Sequence, residues 1–302
     1  MEKFGAYAKK DFEKIAEIII QENLDVVALQ EIFSEGKGVK RLIEQCVMYG
    51  LRDWDVCLST TPNRITNMRE IDSRGEIYAF LWNKKRFKLA EFSENGEKRV
   101  FEPRIINSLQ TDVNVNCSFF ARTPYYIRLF PAFGGFWELR LINVHIYYGD
   151  NRLSEVQKRI VEYDTLVQDI YPSITQHRYG NFRPAYTIAM GDYNLNIFRP
   201  QTLTQAKNYL TEVYNFYDGR ESYRVITLQD QLTTLKAATQ PGYDTPGYAN
   251  NYDHFTYSPE LSPLSGVSCN AIDAIEKYCD GDFNYYRTNI SDHLPIVMEV
   301  EI

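Results

Sequence analysis

The sequence predicts an α/β fold in which two β-sheets pack against each other and helices cover their outer faces. Short segments rich in β-branched and aromatic residues outnumber segments with the apolar spacing of amphipathic helices. The helical segments occur at irregular intervals, without the strict strand–helix alternation of a barrel. No repeat, low-complexity tract or Pro/Gly/Ser linker divides the 302 residues, so we predict one domain over residues 1–302.

The first elements are two helices with a strand between them. In KKDFEKIAEIIIQEN, Phe12, Ile15, Ile18 and Ile19 have helical spacing, with charged residues on the other side. LDVVALQEIF follows as a short buried strand with a polar end, and GVKRLIEQCVMYG is a second amphipathic helix that ends at a glycine.

The middle of the chain is predicted to be mainly strands. WDVCLS, EIYAFLW, PYYIRLF and FWELRLINVHI are all rich in β-branched and aromatic residues. LSEVQKRIVEYDTLVQDI has helical spacing, and Ser154 and Gln157 have the spacing of a capping box at its start.

The C-terminal part begins with the strand YTIAM, which ends in GDYNLN. From Phe198 to Asn251 the chain is polar and rich in turn residues, which predicts loop structure. NYDHFTYS and HLPIVMEV supply two late strands.

The charge and the cysteines limit the function only weakly. A formal net charge of −7 argues against tight non-specific binding to nucleic acid, although a local positive groove or a metal ion is enough for an enzyme. The five cysteines form no CxxC pair and no cluster with histidine, so we expect reduced thiols. A disulfide between Cys269 and Cys279 is the alternative that their spacing leaves open.

The sequence has no sign of membrane insertion or secretion. The N-terminal stretch lacks the apolar region of a signal peptide, and no segment approaches the ~20 apolar residues of a membrane span. A cytoplasmic location is therefore the default expectation, with a removed secretory leader as the alternative.

Polar residues recur at the ends of apolar strands. They are Glu31, His145, Asp192, Asn194, Asp292 and His293, and Asp253 lies within the strand NYDHFTY. Taken singly, each has an ordinary explanation, as a structural histidine, a turn or a cap. Their recurrence favours a site, because carboxylates are costly to bring together unless a cation or a proton offsets their repulsion.

This set of residue types suits metal-assisted phosphate chemistry. Oxygen ligands such as Glu31 and Asp292 suit Mg²⁺, which also binds phosphate oxygens. A histidine can accept a proton from water or give one to a leaving oxygen. An amide such as Asn194 can orient a nucleophile without adding charge. No cluster of histidine and cysteine indicates zinc.

Four ordered motifs resemble the endonuclease/exonuclease/phosphatase superfamily, the group of deoxyribonuclease I, abasic-site endonucleases, inositol-phosphate 5-phosphatases and neutral sphingomyelinases. LDVVALQEI resembles its first metal-ligand motif, INVHI its histidine strand, MGDYNLN its GDxN motif and SDHLPI its closing motif. Their order and spacing match across nearly the whole chain. The resemblance implies a deoxyribonuclease I-like four-layer α/β sandwich, two mixed β-sheets packed face to face with helices outside.

The resemblance also implies metal ligands and a histidine pair. Glu31 resembles the metal-ligating glutamate, and Asp292 resembles the carboxylate that supports the metal at the last motif. His293 resembles the histidine that works with an acidic partner, and Asp253 fits that partner.

The resemblance implies that the remaining site residues position the phosphate and the attacking water. Asp192 and Asn194 resemble the pair that positions the attacking water and the scissile phosphate. His145 resembles the second histidine of the nuclease-like members, and Glu76 fits the acid that holds it. Arg122 in FARTPYY resembles a phosphate-contacting arginine, so Arg122 and Asn194 are the predicted phosphate-binding residues.

The implied reaction is in-line attack of water on phosphorus with Mg²⁺, or alternatively Mn²⁺, as the cofactor. Which group is the base and which the acid is not fixed by the sequence. The FARTPYY and NVHI stretches favour the deoxyribonuclease-like members, so DNA is the expected substrate. Four arginines in the loops on either side of the EIYAFLW strand are candidate contacts to the DNA backbone: Arg64, Arg69, Arg74 and Arg104.

The chain departs from the family pattern at its first motif. Family members begin with a strand that ends in a WN-type motif, whose asparagine supports the metal. Here the helix KKDFEKIAEII follows MEKFGAYA almost at once, so we expect that strand to be missing.

Three functions stay open at this point. The first is a Mg²⁺-dependent DNA endonuclease, and the second is a phosphomonoesterase or phospholipid phosphodiesterase on the same scaffold. The third is a non-catalytic binding module that has lost its first metal-supporting strand.

Overall fold

Two β-sheets face each other in the computed structural model. It describes residues 4, 10–33, 36–50, 52–59, 76–94, 96–106, 115, 117, 120–179, 183–196, 213–217, 222–228, 231–236, 246–258 and 266–301. The described strands are β1 (Val26–Ile32), β2 (Trp54–Leu58), β3 (Ile77–Asn83), β4 (Phe87–Leu89), β5 (Glu91–Glu94), β6 (Glu97–Val100), β7 (Arg104–Ile105), β8 (Tyr125–Pro131), β9 (Glu138–His145), β10 (Ala185–Asp192), β11 (Val213–Tyr217), β12 (Ser222–Leu228), β13 (Leu235–Lys236), β14 (Gly247–Tyr248), β15 (Asp253–Tyr257), β16 (Val267–Ala271) and β17 (Ile296–Val300).

Helices lie before, between and after these strands. They are α1 (Phe12–Gln21), α2 (Lys37–Met48), α3 (Leu153–Thr165), α4 (Tyr171–Gln176), α5 (Ala274–Tyr278) and α6 (Phe283–Asn289), and a π-helical turn (Leu166–Ile170) joins α3 to α4. The predicted first helix is confirmed, and the carboxylate of Asp11 accepts a hydrogen bond from the backbone N–H of Lys14 at its start. Within the described residues, no helix is both long enough and apolar enough to cross a membrane.

The larger sheet has the strand order β11-β12-β15-β10-β9-β8-β4, and β7 also pairs with β8. It is mixed, because β9 and β10 are parallel while the other described pairs are antiparallel. His145 is the register partner of Asp192 across β9 and β10, and Asp192 is the partner of Asp253 across β10 and β15. Three polar residues are therefore neighbours at one end of this sheet.

The opposite layer contains the antiparallel strands β1-β3-β2 and the hairpin β16-β17. Both sets face the same inter-sheet core. Its buried side chains include Phe80 and Trp82 of β3 and Ile127 of β8, and Ala28 of β1 and Met298 of β17 pack against them.

Helices cover the outer face of each sheet. The α3–α4 segment contributes residues such as Tyr163 and Ile170, which pack with Ile142 on the outside of the larger sheet. On the other side, α1, α2, α5 and α6 pack on β1 and β3, with Ile18 and Leu42 among the buried side chains. The predicted four-layer α/β sandwich is therefore confirmed.

The structure corrects two local predictions. The predicted capping box is wrong: α3 begins at Leu153, Arg152 occupies the cap position without a side-chain cap hydrogen bond, and Ser154 lies inside the first turn. The stretch from Phe198 to Asn251 was predicted to be loop, but it contains β11 and β12. The sequence of β12, SYRVITL, is rich in the β-branched and aromatic residues typical of a strand, and its pairing with β15 extends the larger sheet. All five cysteines are free thiols.

Phe4, close to the N-terminus, is relevant to the first strand that the sequence analysis expects to be missing. Phe4 is fully buried and forms an isolated parallel bridge with Ile32. Its N–H donates to the carbonyl of Glu31 (2.9 Å), and its own carbonyl accepts from the N–H of Phe33 (3.0 Å). Residues 1–3 and 5–9 lie outside the described part of the chain, and no named strand precedes α1 in the part that is described.

Candidate active site

Glu31 leaves the smaller sheet at an irregularity in β1. The pairing of β1 with β3 shifts register between Leu29 and Ile32, and Glu31 has a φ of +56°. A positive φ is costly for a residue other than glycine, and such strain is concentrated at functional positions. The backbone N–H of Glu31 donates to Oε1 of Glu76 (3.2 Å), and its side chain, 29 % exposed, has Oε1 3.8 Å from Nε2 of His145. The irregularity therefore directs Glu31 towards the end of β9.

His145 is held by Glu76. Nδ1 of the buried His145 lies 2.6 Å from Oε1 of Glu76, whose Oε2 accepts a hydrogen bond from Nε of Arg122 (2.6 Å). Burial alone would raise the pKa of Glu76, but the charges and hydrogen bonds of His145 and Arg122 outweigh it and lower the pKa to about 2. An anionic Glu76 requires a hydrogen on Nδ1 of His145, which leaves Nε2 facing Glu31 and Asp192.

The predicted phosphate contact by Arg122 remains a prediction. Its Nε is bound to Glu76, and its side chain is only 14 % exposed. A phosphate contact would therefore fall to the terminal nitrogens of the guanidinium. Among the other arginines, Arg104 lies in β7 with its guanidinium 4.7 Å from the centre of the Phe101 ring. The remaining three candidates, Arg64, Arg69 and Arg74, lie outside the described residues.

Asp192 lies between the two histidines, His145 and His293. Its Oδ2 lies 3.7 Å from Nε2 of His145 and 3.9 Å from Nε2 of His293, so two imidazoles face one carboxylate oxygen. Burial raises the pKa of Asp192 to about 6, and the nearby charge of Asp253 adds to the shift while the two histidines oppose it.

His293 and Asp253 form the second histidine–acid pair. Nδ1 of His293 lies 2.7 Å from Oδ2 of Asp253. Burial disfavours the charge on His293, but the Asp253 carboxylate and its hydrogen bond outweigh burial and raise the pKa of His293 to about 10. The backbone on either side is also fixed: the His293 N–H donates to Oγ of Ser291 (3.0 Å), and the Asp253 N–H donates to Oγ1 of Thr233 (3.2 Å).

Asn194 follows Asp192 in a tight turn. The backbone N–H of Asn194 donates to Oδ1 of Asp192 (2.7 Å), and its side-chain amide donates to the carbonyl of Ile146 (2.8 Å). Asn194 has a φ of +51°, a conformation that asparagine tolerates better than most residues. Gly191 ahead of them has a φ of +138°, and a Cβ there would lie 2.0 Å from the carbonyl oxygen of Val144. Glycine is thus required for β10 to approach β9 closely at this point.

Asp292 is less closely tied to the group. Within the described part of the chain, no hydrogen bond or ion pair joins its side chain to another predicted site residue. Its backbone carbonyl accepts from the N–H of Leu235 (2.8 Å), and its charge contributes to the raised pKa of His293. The structure therefore places Asp292 beside the histidine pair and does not show it in contact with Glu31.

Two buried side chains that support the site were not predicted from the sequence. Asn143 of β9 donates to the carbonyls of Leu29 (3.1 Å) and Ala79 (3.2 Å) across the sandwich. Its Oδ1 accepts from Nε2 of Gln30 (2.6 Å). This network connects the larger sheet to β1 immediately before Glu31. A signal was present, because Asn143 is a polar residue inside the apolar stretch LINVHI and Gln30 precedes Glu31.

The second is Glu162 of α3. Its two carboxylate oxygens accept from the N–H groups of Ala121 (2.9 Å) and Tyr147 (3.0 Å). Burial raises the pKa of Glu162 to about 7. These hydrogen bonds hold the backbone next to Arg122 and just after His145. No sequence signal distinguishes Glu162 from the other charged residues of its helix.

The carboxylate oxygens available at this site are the kind of ligand that Mg²⁺ binds. In the described part of the chain, no three His, Cys, Asp or Glu side chains form a ready-made cluster of ligands. Mg²⁺ does not need one, because it is usually held by one or two carboxylates, water and substrate phosphates. Glu31 offers a partly exposed carboxylate. Burial raises the pKa of Asp192, and a nearby cation would favour its ionised form.

Several solved structures share this fold. Truncated TDP2 from Caenorhabditis elegans is 14 % identical with a TM-score of 0.52, covering 96 % of this chain and 90 % of its own. An endonuclease/exonuclease/phosphatase family protein from Bacteroides thetaiotaomicron is 14 % identical with a TM-score of 0.51, covering 96 % and 88 %. The APE2 catalytic domain from Xenopus laevis is 13 % identical with a TM-score of 0.50, covering 97 % and 90 %.

Sequence comparison adds nothing to these structural matches. No protein-family model matches the sequence, and comparison with curated proteins gives no match. At 13–14 % identity the structural matches establish the fold.

Proposed function

We propose that this chain, which has the fold of the endonuclease/exonuclease/phosphatase superfamily, is a Mg²⁺-dependent phosphodiesterase that cleaves DNA. One observation carries the proposal. Side chains from separate segments of the chain form a continuous series of close pairs, Arg122–Glu76, Glu76–His145, His145–Asp192, Asp192–His293 and His293–Asp253. A purely structural role does not require two histidines, each with its own acid, to face one central carboxylate.

Each of the two histidine–acid pairs suits one side of the phosphorus atom in an in-line displacement. Glu76 and Asp253 each orient a histidine through Nδ1, so both Nε2 atoms face the same space. The carboxylate of Asp192 is close enough to both Nε2 atoms to position a water molecule between the two histidines. With a pKa of about 10, His293 carries a proton in the absence of a metal ion, which suits it to stabilise a developing negative charge.

Glu31 and Asp292 would hold the metal ion. When bound there, Mg²⁺ supplies charge stabilisation to the phosphoryl oxygens. Asn194 and the terminal nitrogens of Arg122 are the groups of this chain that would orient the phosphate. Both are anchored, Asn194 through the carbonyl of Ile146 and Arg122 through Glu76, so neither has to be ordered when substrate binds.

The DNA substrate rests on the sequence resemblance and is compatible with the fold. One structural relative is described as an APE2 catalytic domain, and another is described as a member of the endonuclease/exonuclease/phosphatase family. Arg122, in the FARTPYY stretch on which this resemblance rests, binds Glu76, the partner of His145.

Nicking of supercoiled plasmid tests the proposal. We expect conversion to open circles with Mg²⁺ or Mn²⁺, complete inhibition by EDTA, and loss of activity in His293→Ala. His177→Ala is the matched control, because His177 lies after α4, outside the group, and packs against Tyr179 with 4.3 Å between ring centres. It should keep full activity.

Two results would contradict the proposal. Nicking by His293→Ala at the rate of His177→Ala would remove the histidine pair from the chemistry. Release of inorganic phosphate from small phosphate esters by the unaltered chain, with plasmid left intact, would instead assign the site to a phosphomonoesterase.

A further inference from the structure

An exposed tyrosine lies beside the candidate active site. Tyr148 follows His145 closely, in the loop between β9 and α3, and is 42 % exposed. Its ring centre lies 6.3 Å from that of the buried Tyr252, and the two ring planes are tilted by 52°. Tyr252 directly precedes Asp253, so this aromatic pair adjoins both histidine–acid pairs along the chain.

Tyr252 is also close to the central carboxylate. Its backbone carbonyl accepts a hydrogen bond from the N–H of Tyr193 (2.7 Å), the residue between Asp192 and Asn194. Burial is the main cause of the raised pKa of Tyr252, and the nearby Asp192 carboxylate adds to the shift. The aromatic pair therefore flanks the turn that would position the phosphate.

Arg159 of α3 joins the Tyr148 loop to this turn. The buried guanidinium donates to the carbonyls of Asn194 (2.8 Å) and Asp150 (2.5 Å). Its Cζ lies 5.0 Å from the centre of the Tyr148 ring. A guanidinium over an aromatic ring is attractive, so Arg159 holds the ring from the protein side.

The backbone around Tyr148 is fixed as well. Gly149 has a φ of +62°, in the left-handed region, and a Cβ there would lie 2.7 Å from the Tyr147 ring, so the turn after Tyr148 requires glycine. On the other side, the N–H of Tyr147 donates to a carboxylate oxygen of Glu162 (3.0 Å). An exposed ring that is held in this way loses little freedom when a ligand binds against it.

We propose that Tyr148 is a stacking platform for a nucleobase next to the scissile phosphate. This inference rests on the proposed function, because Asn194 would orient the phosphate to which that nucleotide is joined. Every base has an aromatic face, so the platform accepts any base. A paired base in a duplex has both faces covered by its neighbours, so the site selects nucleotides that have left the stack. Negative supercoiling favours such local opening, which makes a supercoiled plasmid a substrate.

Binding of two labelled single strands tests the platform. One is an oligothymidylate of about ten nucleotides, and the other has the same phosphodiester backbone with an abasic tetrahydrofuran unit at each position. Fluorescence anisotropy in EDTA gives both Kd values without cleavage. We expect the unaltered chain to bind the oligothymidylate about 10-fold or more tightly than the abasic strand. Tyr148→Ala should reduce this ratio by about 5-fold or more.

Two further variants show that the aromatic ring at this position is responsible. Tyr148→Phe keeps the ring and should keep the ratio. Phe136→Ala is the matched control, because Phe136 is exposed and lies between β8 and β9, at the end of β9 opposite His145. It should behave like the unaltered chain. Equal Kd values for the two strands, or a ratio that Tyr148→Ala leaves unchanged, would overturn the proposal.

The same strands separate this inference from the proposed function. Base-dependent binding in EDTA, with no cleavage of the oligothymidylate in Mg²⁺, would contradict the proposed function and support the platform. Cleavage of both strands at equal rates, with equal Kd values, would support the proposed function and remove the platform. Cleavage of a relaxed, fully paired duplex faster than of the oligothymidylate would overturn the selection of unpaired nucleotides.

Discussion

His145 and Asp192 are register partners at the ends of the parallel strands β9 and β10, and His145 Nε2 lies 3.7 Å from Asp192 Oδ2. This distance exceeds a direct hydrogen bond, and Nε2 of His293 lies at a similar 3.9 Å on the other side. The register of β9 and β10 therefore determines how His145 faces the central carboxylate, whereas His293 is held by its pair with Asp253.

The first prediction concerns the charge of Asp192. Asp192→Asn keeps the shape and the acceptor for the Asn194 N–H but removes the charge, and we expect kcat on bis(4-nitrophenyl) phosphate to fall by about 10²- to 10⁴-fold. The free energy of unfolding at pH 7.5 should be unchanged or higher, because burial disfavours the ionised carboxylate and raises its pKa to about 6. A destabilised variant with unchanged kcat would refute a catalytic role.

The second prediction concerns the orientation of His145. Glu76→Gln replaces the carboxylate shared by His145 and Arg122 with an amide, so activity should fall by about 10- to 100-fold. The free energy of unfolding should fall by about 3 kcal/mol or more, because the Arg122 guanidinium loses its buried partner. Glu97→Gln, at an exposed position of β6, is the control and should behave like the unaltered chain. Full activity in Glu76→Gln would show that the pair is structural only.

The third prediction concerns the link between the sheets. Asn143→Ala removes the donors to the carbonyls of Leu29 and Ala79 and leaves the Gln30 amide without this acceptor, which should cost about 1–3 kcal/mol. Because these contacts precede Glu31 directly, the Mg²⁺ concentration at half-maximal activity should also rise. Leu141→Ala, on the same strand, should lower the stability through lost packing without changing that concentration. Equal Mg²⁺ dependence in both variants would limit Asn143 to a structural role.

The fourth prediction concerns Glu162 and pH. Burial raises its pKa from 4.5 to about 7, so its contribution to stability is fully present below pH 4.5 and is lost as the pH rises through 7. The loss is roughly 3 kcal/mol for a shift of this size. The free energy of unfolding, measured in urea from pH 4.5 to 8, should therefore rise in Glu162→Gln relative to the unaltered chain by about this amount. A difference between the two that stays constant with pH would contradict the assignment.

The sequence predicted the strands that carry the site because their signal is local. VVALQ, LINV and IAM are apolar runs that stop at polar residues, and the structure places Glu31, His145 and Asp192 at or near the ends of these strands. Their mutual distances depend on strand order and register, which composition and spacing do not specify. The resemblance to a known family supplied that order.

The failures have two physical reasons. β12 lies in a stretch that is polar and rich in turn residues overall, but its own residues, SYRVITL, are those of a strand, so the composition of the whole stretch concealed a local signal. The ion pair of Arg122 with Glu76 was not predicted, because it joins two segments that meet only in the folded chain. Asn143 and Glu162 act through backbone groups of distant residues, and a single sequence carries little trace of such contacts.

The central claim is that His145 and His293 serve one metal-dependent reaction at a phosphorus atom. The most direct measurement is the rate of bis(4-nitrophenyl) phosphate hydrolysis with Mg²⁺ and with EDTA, in the unaltered chain, His145→Ala, His293→Ala and the double variant. We expect turnover only with the metal, a large loss in each single variant, and little further loss in the double variant because the two residues act as a unit. Hydrolysis that persists in EDTA, or that both single variants retain, would contradict the claim.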